Sequence, residues 1–303
     1  MGRILKLAYW LFLKIQTLGA IRNNMKKINI CMVKPDDYIH SYAFIELGEL
    51  IFFSLKELGY EVSIGFNNLT FNVKNILIGC HLLDPSYIKQ VPKSTIIVNT
   101  EQIYNDTTSW NSNIFVWVKN FEVWDYSELN IEKLKSLGVD RVKLLKIGYQ
   151  KELRRINMST NKDIDVLFYG SINERRAEII NGLINRGLRV KTLFGVYGKE
   201  RDEWIGRSQI VLNHHYYNSH IFEIVRVFYL LSNSIAVVGE VNDSTSISSL
   251  YKEGIYPSKY EDLVDSCLKL IKDNSLKQKI QFDAFNSISQ YEQKFFTQQV
   301  IDF

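Results

Sequence analysis

The sequence predicts an α/β protein of two Rossmann-like domains facing a cleft. Three observations carry that expectation: a length of 303 residues, short apolar strands alternating with helical stretches, and one polar interval after which the same grammar starts again. That length exceeds what one hydrophobic core usually serves. With 46% hydrophobic and 23% charged residues the chain has the make-up of a globular protein.

The first strand is read at Ile28 to Val33, a short, partly β-branched apolar run of the kind buried on both faces of a parallel sheet. From Tyr42 to Leu58 the apolar spacing is helical, and Gly59 stands where a helix stop is wanted. Further strands are read at Glu61 to Gly65, Ile76 to Gly79 and Thr95 to Asn99, then at either Phe115 to Val118 or Glu122 to Trp124. Between Gly148 and Lys162 the chain is polar, and a strand restarts at Ile164 to Tyr169.

A helix from Glu174 to Arg186 follows, ended by Gly187, then a strand at 188 to 194. Gly195 to Gly198 is a turn, with a short helix to Arg207 and a strand at 209 to 213 behind it. After a loop rich in His, Tyr and Asn come an apolar helix from Ile221 to Leu231, a strand at Ile235 to Val238 ending in Gly239-Glu240, and terminal helices at 260 to 273 and 276 to 300. The expected domains are 25 to 150 and 163 to 284. Residues 285 to 303 are a helix that could cross back onto the first.

Residues 1 to 24 form an amphipathic segment in which Trp10, Phe12 and Leu13 sit among Arg3, Lys6, Lys14 and Arg22. The apolar run is too short to span a bilayer but suited to a membrane surface, and docking on its own domain or a start at Met25 explains it equally. A net charge of +4, without runs of like sign, excludes a dedicated nucleic-acid binder. Three scattered cysteines, Cys31, Cys80 and Cys267, fit a reducing compartment, and the expected location is cytoplasmic, with peripheral contact at the inner membrane face.

Parallel α/β sheets collect ligands beyond the carboxyl ends of their strands. At Gly170-Ser171-Ile172-Asn173-Glu174-Arg175-Arg176 a strand runs through a small-residue loop into a helix, which presents N–H groups and the positive dipole end to an anion. Arg175 and Arg176 add forked donors suited to phosphate, and Lys199 and Arg201 stand at the next strand end. Glu223 and Arg226 share one face of an apolar helix, either as an ion pair or as a ribose acceptor with a cation beside it.

His214, His215 and His220 cluster in one loop, but no metal-binding spacing accompanies them and no metal is expected. A proton acceptor is sought in the first domain among Asp36, Asp37, His40, Glu101 and Asp125, of which Glu101 is preferred. Tyr104, Trp110 and Trp124 fit either an acceptor groove or a core.

The stretch IDVLFYGSINERR, then LFGVYG, SQIVLN and FEIVRVFYLLSNSIAVVGE, resembles the carboxyl-terminal domain of GT-B glycosyltransferases of the group-1 and spore-maturation-protein type. The resemblance covers residues 164 to 240. It implies a nucleoside-diphosphate sugar as donor substrate beside Gly170, Arg176, Asn213 and Glu223, no cofactor, and a glycan, lipid-linked or protein hydroxyl as acceptor, in surface polysaccharide or glycoconjugate synthesis. Retaining members commonly carry a glutamate eight residues before the helix glutamate; here His215 stands in its place. A sugar-nucleotide epimerase and a non-catalytic scaffold of an envelope-assembly complex are the alternatives. A dinucleotide oxidoreductase is disfavoured because no GxGxxG follows the first strand.

Overall fold

The computed structural model describes residues 26–103, 112–217 and 221–302. The chain divides into two units, Met1–Lys146 with Gln293–Phe303, and Ile147–Glu292. The polar interval after Gly148 therefore belongs to the second unit, where Leu153 is fully buried and Asn233 Oδ1 accepts from the N–H groups of Arg155 and Ile156.

In the first unit, β1 (Lys27–Met32) leads through a 3-10 turn into α1 (Ile45–Glu57), followed by β2 (Glu61–Phe66), β3 (Lys74–Ile78), β4 (Ile96–Val98), α2 (Asn113–Asn120), β5 (Glu122–Asp125), α3 (Glu128–Ser136) and β6 (Val142–Leu144). All five strand pairings are parallel, in the order β2-β1-β3-β4-β5-β6. β1 is buried from Ile28 onward, as an inner strand covered on both faces must be. Its one buried polar residue, Asn29, is satisfied sideways: it donates to Asn75 Oδ1 and the Asn68 carbonyl and accepts from Ser63.

Gly59, at φ +86°, ends α1 in the left-handed conformation that glycine adopts without strain. Of the two readings around residue 120, β5 is the strand and Phe115–Val118 lies inside α2. The reason is spacing: Ile114, Trp117, Val118 and Phe121 recur every three to four residues, and each is completely buried.

In the second unit, β7 (Ile164–Tyr169), α4 (Glu174–Asn185), β8 (Val190–Leu193), α5 (Gly198–Arg207), β9 (Ser208–Asn213), α6 (Ile224–Ser232), β10 (Val237–Glu240), α7 (Ser249–Lys252), β11 (Tyr256–Ser258), α8 (Leu263–Lys272) and α9 (Asn274–Ser289) follow in order. The sheet runs β11-β10-β9-β7-β8, again all parallel. Strand order reverses between β7 and β9, where the loops leaving the two strands diverge and leave room for a ligand. Val166, Ile210, Leu212, Ala236, Val238 and Leu263 form the core below that point.

The expected single helix over 276 to 300 is two, α9 and α10 (Gln293–Val300). α10 belongs to the first unit and packs on α1, where Ser54 Oγ and Thr297 Oγ1 meet at 2.8 Å with both residues fully buried. Residues 1 to 24 lie outside the described residues. Among the described residues, no helix is long and apolar enough to cross a membrane.

Candidate active site

The corner after β7 is built as its residues require. Gly170 takes φ +134°, a conformation that disfavours any side chain, and an added Cβ would lie 3.5 Å from Arg176 Nη1 and 3.9 Å from Arg226 Nη1. Asn173 then caps α4, its Oδ1 accepting from the Arg176 N–H at 3.0 Å, while its Nδ2 donates to the Tyr216 carbonyl at 2.6 Å. The loop is thereby tied to the chain leaving β9, across the reversal of strand order.

Arg176 is 2% exposed, and its guanidinium donates to the carbonyls of Ser171 and His214 at 2.8 and 2.7 Å between the rings of Phe168 and Tyr216. Burial, and then the charge of Arg226, pull its pKa down to about 9. Arg175 grips the buried carboxylate of Glu240 with both Nη atoms, donates to the His215 carbonyl at 3.0 Å and stacks 3.9 Å from the Tyr260 ring centroid. Both arginines expected on a diphosphate thus direct Nη donors to the protein and brace the corner, while Arg176 Nε is buried without a partner.

Arg226 also lies near Gly170 with part of its surface open, its Nη1 3.4 Å from Asn213 Oδ1. Lys199 sits apart on exposed α5 beside Glu203, and Arg201 is buried against Asp202.

Glu223 is the cap residue of α6 rather than a residue of its first turn. Asn213 Nδ2 donates to its Oε2 at 3.0 Å and His215 Nδ1 lies 2.9 Å from its Oε1. Burial alone would raise the Glu223 carboxyl, but His215, Arg226 and Asn213 outweigh it and hold the group well below the usual carboxylate range. For His215, burial lowers the pKa, yet Glu223 and then Glu240 carry it above the ordinary imidazole value. The outcome is a buried histidine–carboxylate pair in which His215 also donates its backbone N–H to Glu240 at 2.9 Å.

His214 is different in kind. Its ring, 5.4 Å from that of Phe168, is pushed down to about 3 by burial and the charge of Arg176, so it is neutral. The two neighbouring histidines are thus shifted in opposite directions. His220, Tyr104 and Trp110 lie outside the described residues, and among those described no group of three or more His, Cys, Asp or Glu could hold a metal ion.

In the first unit, Asp125 is fully buried at the end of β5, accepting from Asn99 at 2.7 Å, Asn130 at 3.0 and 3.2 Å and the Ser127 N–H at 2.8 Å. It is a structural hub, not a group that reaches a substrate; desolvation pushes its pKa up to about 7. Trp124 is likewise fully buried and belongs to the core.

Asn99 and Asn130 also donate to the Glu101 carbonyl, which fixes that residue beyond β4. Glu101 keeps part of its side chain exposed, with Oε1 3.3 Å from His81 Nε2. His40 is half-buried, edge-on to Tyr38 at 5.3 Å, and Asp36 and Asp37 are exposed. Sequence reasoning missed Glu240, Tyr260 and His81 as members of these clusters. Glu240 alone gave a signal, as a carboxylate at a strand end.

Two all-parallel α/β units, each with its polar clusters at strand ends, define the GT-B class of fold. Solved structures of that architecture include a glycosyltransferase from Rickettsia africae (TM-score 0.58, 10% identity, 91% of this chain and 97% of that one). HepE of Anabaena in complex with UDP-glucose matches at TM-score 0.58 and 12% identity over 90% of this chain and 98% of its own. The BGT of phage T4 in complex with UDP and Mn2+ matches at TM-score 0.58 and 13% identity over 92% and 100%.

No family model matches the sequence. Among curated proteins, uncharacterized protein L137 of Acanthamoeba polyphaga mimivirus is 27% identical over 235 residues, which is 73% of this chain and 31% of L137. Protein L138 of the same virus is 29% identical over 125 residues, 40% of this chain and 14% of L138. The chain thus spans less than a third of the length of the curated relatives it matches.

Proposed function

We propose that this chain is a glycosyltransferase that moves a sugar from a nucleoside-diphosphate sugar to a hydroxyl of a glycan, lipid-linked or protein acceptor, in surface polysaccharide or glycoconjugate synthesis. The observation that carries the reading is the buried carboxylate of Glu223, held by His215 and Asn213 at the reversal of strand order. A ribose offers two neighbouring hydroxyl donors, and a carboxylate kept charged is the acceptor they fit.

The diphosphate would lie along Gly170 and Ser171 at the N-terminal end of α4, with Arg226 as its cation. Fixed positive charge there stabilises the departing diphosphate in the way a metal ion does elsewhere, so the reaction we propose is metal-independent. Glu101 takes the acceptor's proton. UDP-containing structures among the solved folds support a sugar-nucleotide donor. Cys31, Cys80 and Cys267 are free and buried, in keeping with a cytoplasmic protein.

Calorimetric titration with UDP-, GDP- and dTDP-sugars is the test. One of them is expected to bind, and Glu223→Gln to weaken it by roughly 10- to 100-fold, the worth of a charge-assisted hydrogen bond. Unchanged affinity in Glu223→Gln removes the ribose role.

A further inference from the structure

The loops leaving β10 and β11 line a cleft of about 760 Å3 whose walls belong entirely to the second unit, with α8 as one side. It lies at the carboxyl ends of these strands, beyond β9 from the reversal of strand order, and none of its lining residues belongs to the corner at Gly170. The segment from Val241 to Thr245 is tied in place. Val241 N–H donates to the Ser258 carbonyl at 2.8 Å, Asn242 N–H to Thr245 Oγ1 at 2.9 Å and Asn242 Nδ2 to Glu240 Oε1 at 2.7 Å. On the α8 side, Ser266 Oγ donates to Ser258 Oγ at 2.9 Å. The cleft is therefore preformed, and a ligand does not have to order its walls.

The charged side chains along the cleft are unevenly paired. Lys259 Nζ lies 3.0 Å from Asp243, and the charges of Glu261 and Asp262 act on the same ammonium. Asp265 is 3.3 Å from Arg186, which stands outside the cleft. Lys252 and Lys269 have no carboxylate partner among the described residues, and Lys269 Nζ is 5.8 Å from the Tyr256 ring centroid. The carboxylates are thus spent on Lys259 and Arg186, which leaves two ammonium groups in one hollow. Two such groups repel each other until an anion lies between them.

We infer that this cleft binds a small phosphate ester of a sugar or polyol, with its phosphate on Lys252 and Lys269 and its carbon skeleton against Tyr256. Its volume suits an organic ligand and exceeds what inorganic phosphate fills. The Tyr256 ring supplies an apolar face, while the Thr245 hydroxyl and the Asp262 carboxylate can meet the hydroxyl groups of the skeleton. Because no lining residue is shared with the corner at Gly170, the site stands whether or not the chain transfers a sugar.

The experiment is calorimetry on the full chain with the monophosphates of glucose, ribose and glycerol esterified at the terminal carbon, and with glucose and inorganic phosphate alongside. At least one ester is expected to bind ~10-fold more tightly than inorganic phosphate, and glucose not at all. Lys252→Gln and Lys269→Gln should each weaken that ester ~10-fold, the scale of one charge-assisted hydrogen bond, and the double variant ~100-fold. Both lysines are exposed, so the variants should fold as the wild type does. Glu223→Gln should leave the affinity for the ester unchanged.

Binding of none of the three esters at millimolar concentration overturns the proposal. So does inorganic phosphate bound as tightly as the best ester, because the skeleton then makes no contact, and so does unchanged affinity in the double lysine variant. Affinity lost in Glu223→Gln and kept in the lysine variants would put the ester in the corner at Gly170, which overturns the cleft and leaves the glycosyltransferase reading intact.

Discussion

His215 Nδ1 lies 2.9 Å from Glu223 Oε1, so a glutamate in place of His215 would set two buried carboxylates side by side. Two buried carboxylates so close would repel, and one would hold a proton. Histidine against the carboxylate instead favours the charged form of Glu223, whose pKa is held low by His215, Arg226 and Asn213.

The pair has a pH signature. Glu223 is depressed, so its contribution to stability is present above the unfolded value of 4.5 and is lost as pH falls. His215 is raised, so its contribution is complete below 6.5 and is lost as pH climbs through its folded pKa. A double-mutant cycle with His215→Gln and Glu223→Gln should give a coupling of roughly 1.5–3 kcal/mol at mildly acidic pH, shrinking in alkali. A coupling that does not vary with pH would mean the imidazole is neutral.

Arg175 and Glu240 make the second test, because the arginine was expected on a ligand and is found on a buried carboxylate. Arg175→Met strands Glu240, which is fully buried, and should cost about 3–5 kcal/mol. Adding Glu240→Gln removes the stranded charge and should return at least half of that stability in thermal melts. Donor affinity in the double variant should stay within about threefold of wild type, a difference under 1 kcal/mol. Loss of donor binding in the double variant would return Arg175 to the ligand.

Local pattern reveals local structure, and these residues mark where it stops. Most strands of both sheets were legible as short apolar runs closed by glycine or a polar residue, as at Tyr169-Gly170, whereas β6 and β11, three residues each, gave no such run and were missed. Phe115–Val118 was ambiguous because four consecutive apolar residues suit a buried strand as well as a helix, and only their neighbours Ile114 and Phe121 show the helical period.

In the site, Gly170, Asn173, Asn213 and Glu223 follow from strand ends and a helix cap. The partner of Arg175 lies 65 residues away in Glu240, and that of Glu101 lies across a strand connection in His81. Such pairings are set by strand order, which the spacing of residues along the chain does not encode.

Gly170 should tolerate no side chain. A Cβ there would meet Arg176 Nη1 at 3.5 Å, an ordinary contact, so the cost of Gly170→Ala arises from holding alanine at φ +134° and should be about 1–3 kcal/mol. Relaxation of that strain must move the loop between Arg176 and Arg226, and donor affinity should fall by ~10-fold, or about 1.4 kcal/mol. A variant as stable as wild type with normal affinity would show that the corner neither needs glycine nor touches the donor.

Asp125 offers a measurement confined to the first unit. Its carboxyl, 3.8 in an unfolded chain, is pushed up to about 7 by desolvation, against the pull of Asn99, Ser127 and Asn130. Between those values the native state holds a proton that the unfolded state has lost, so stability falls as pH rises across the interval, by on the order of 4 kcal/mol at most. Asp125→Asn cannot ionise, but its amide N–H2 faces donors from Asn99 and Asn130, so the variant should be less stable than wild type at pH 5. The gap should then narrow toward pH 8 as the wild-type carboxylate acquires a buried charge. Other titrating groups, His215 among them, act alike in both proteins and cancel in the difference between melting temperatures. Parallel melting curves across that range would place the Asp125 transition outside it and leave the hub a permanently charged one.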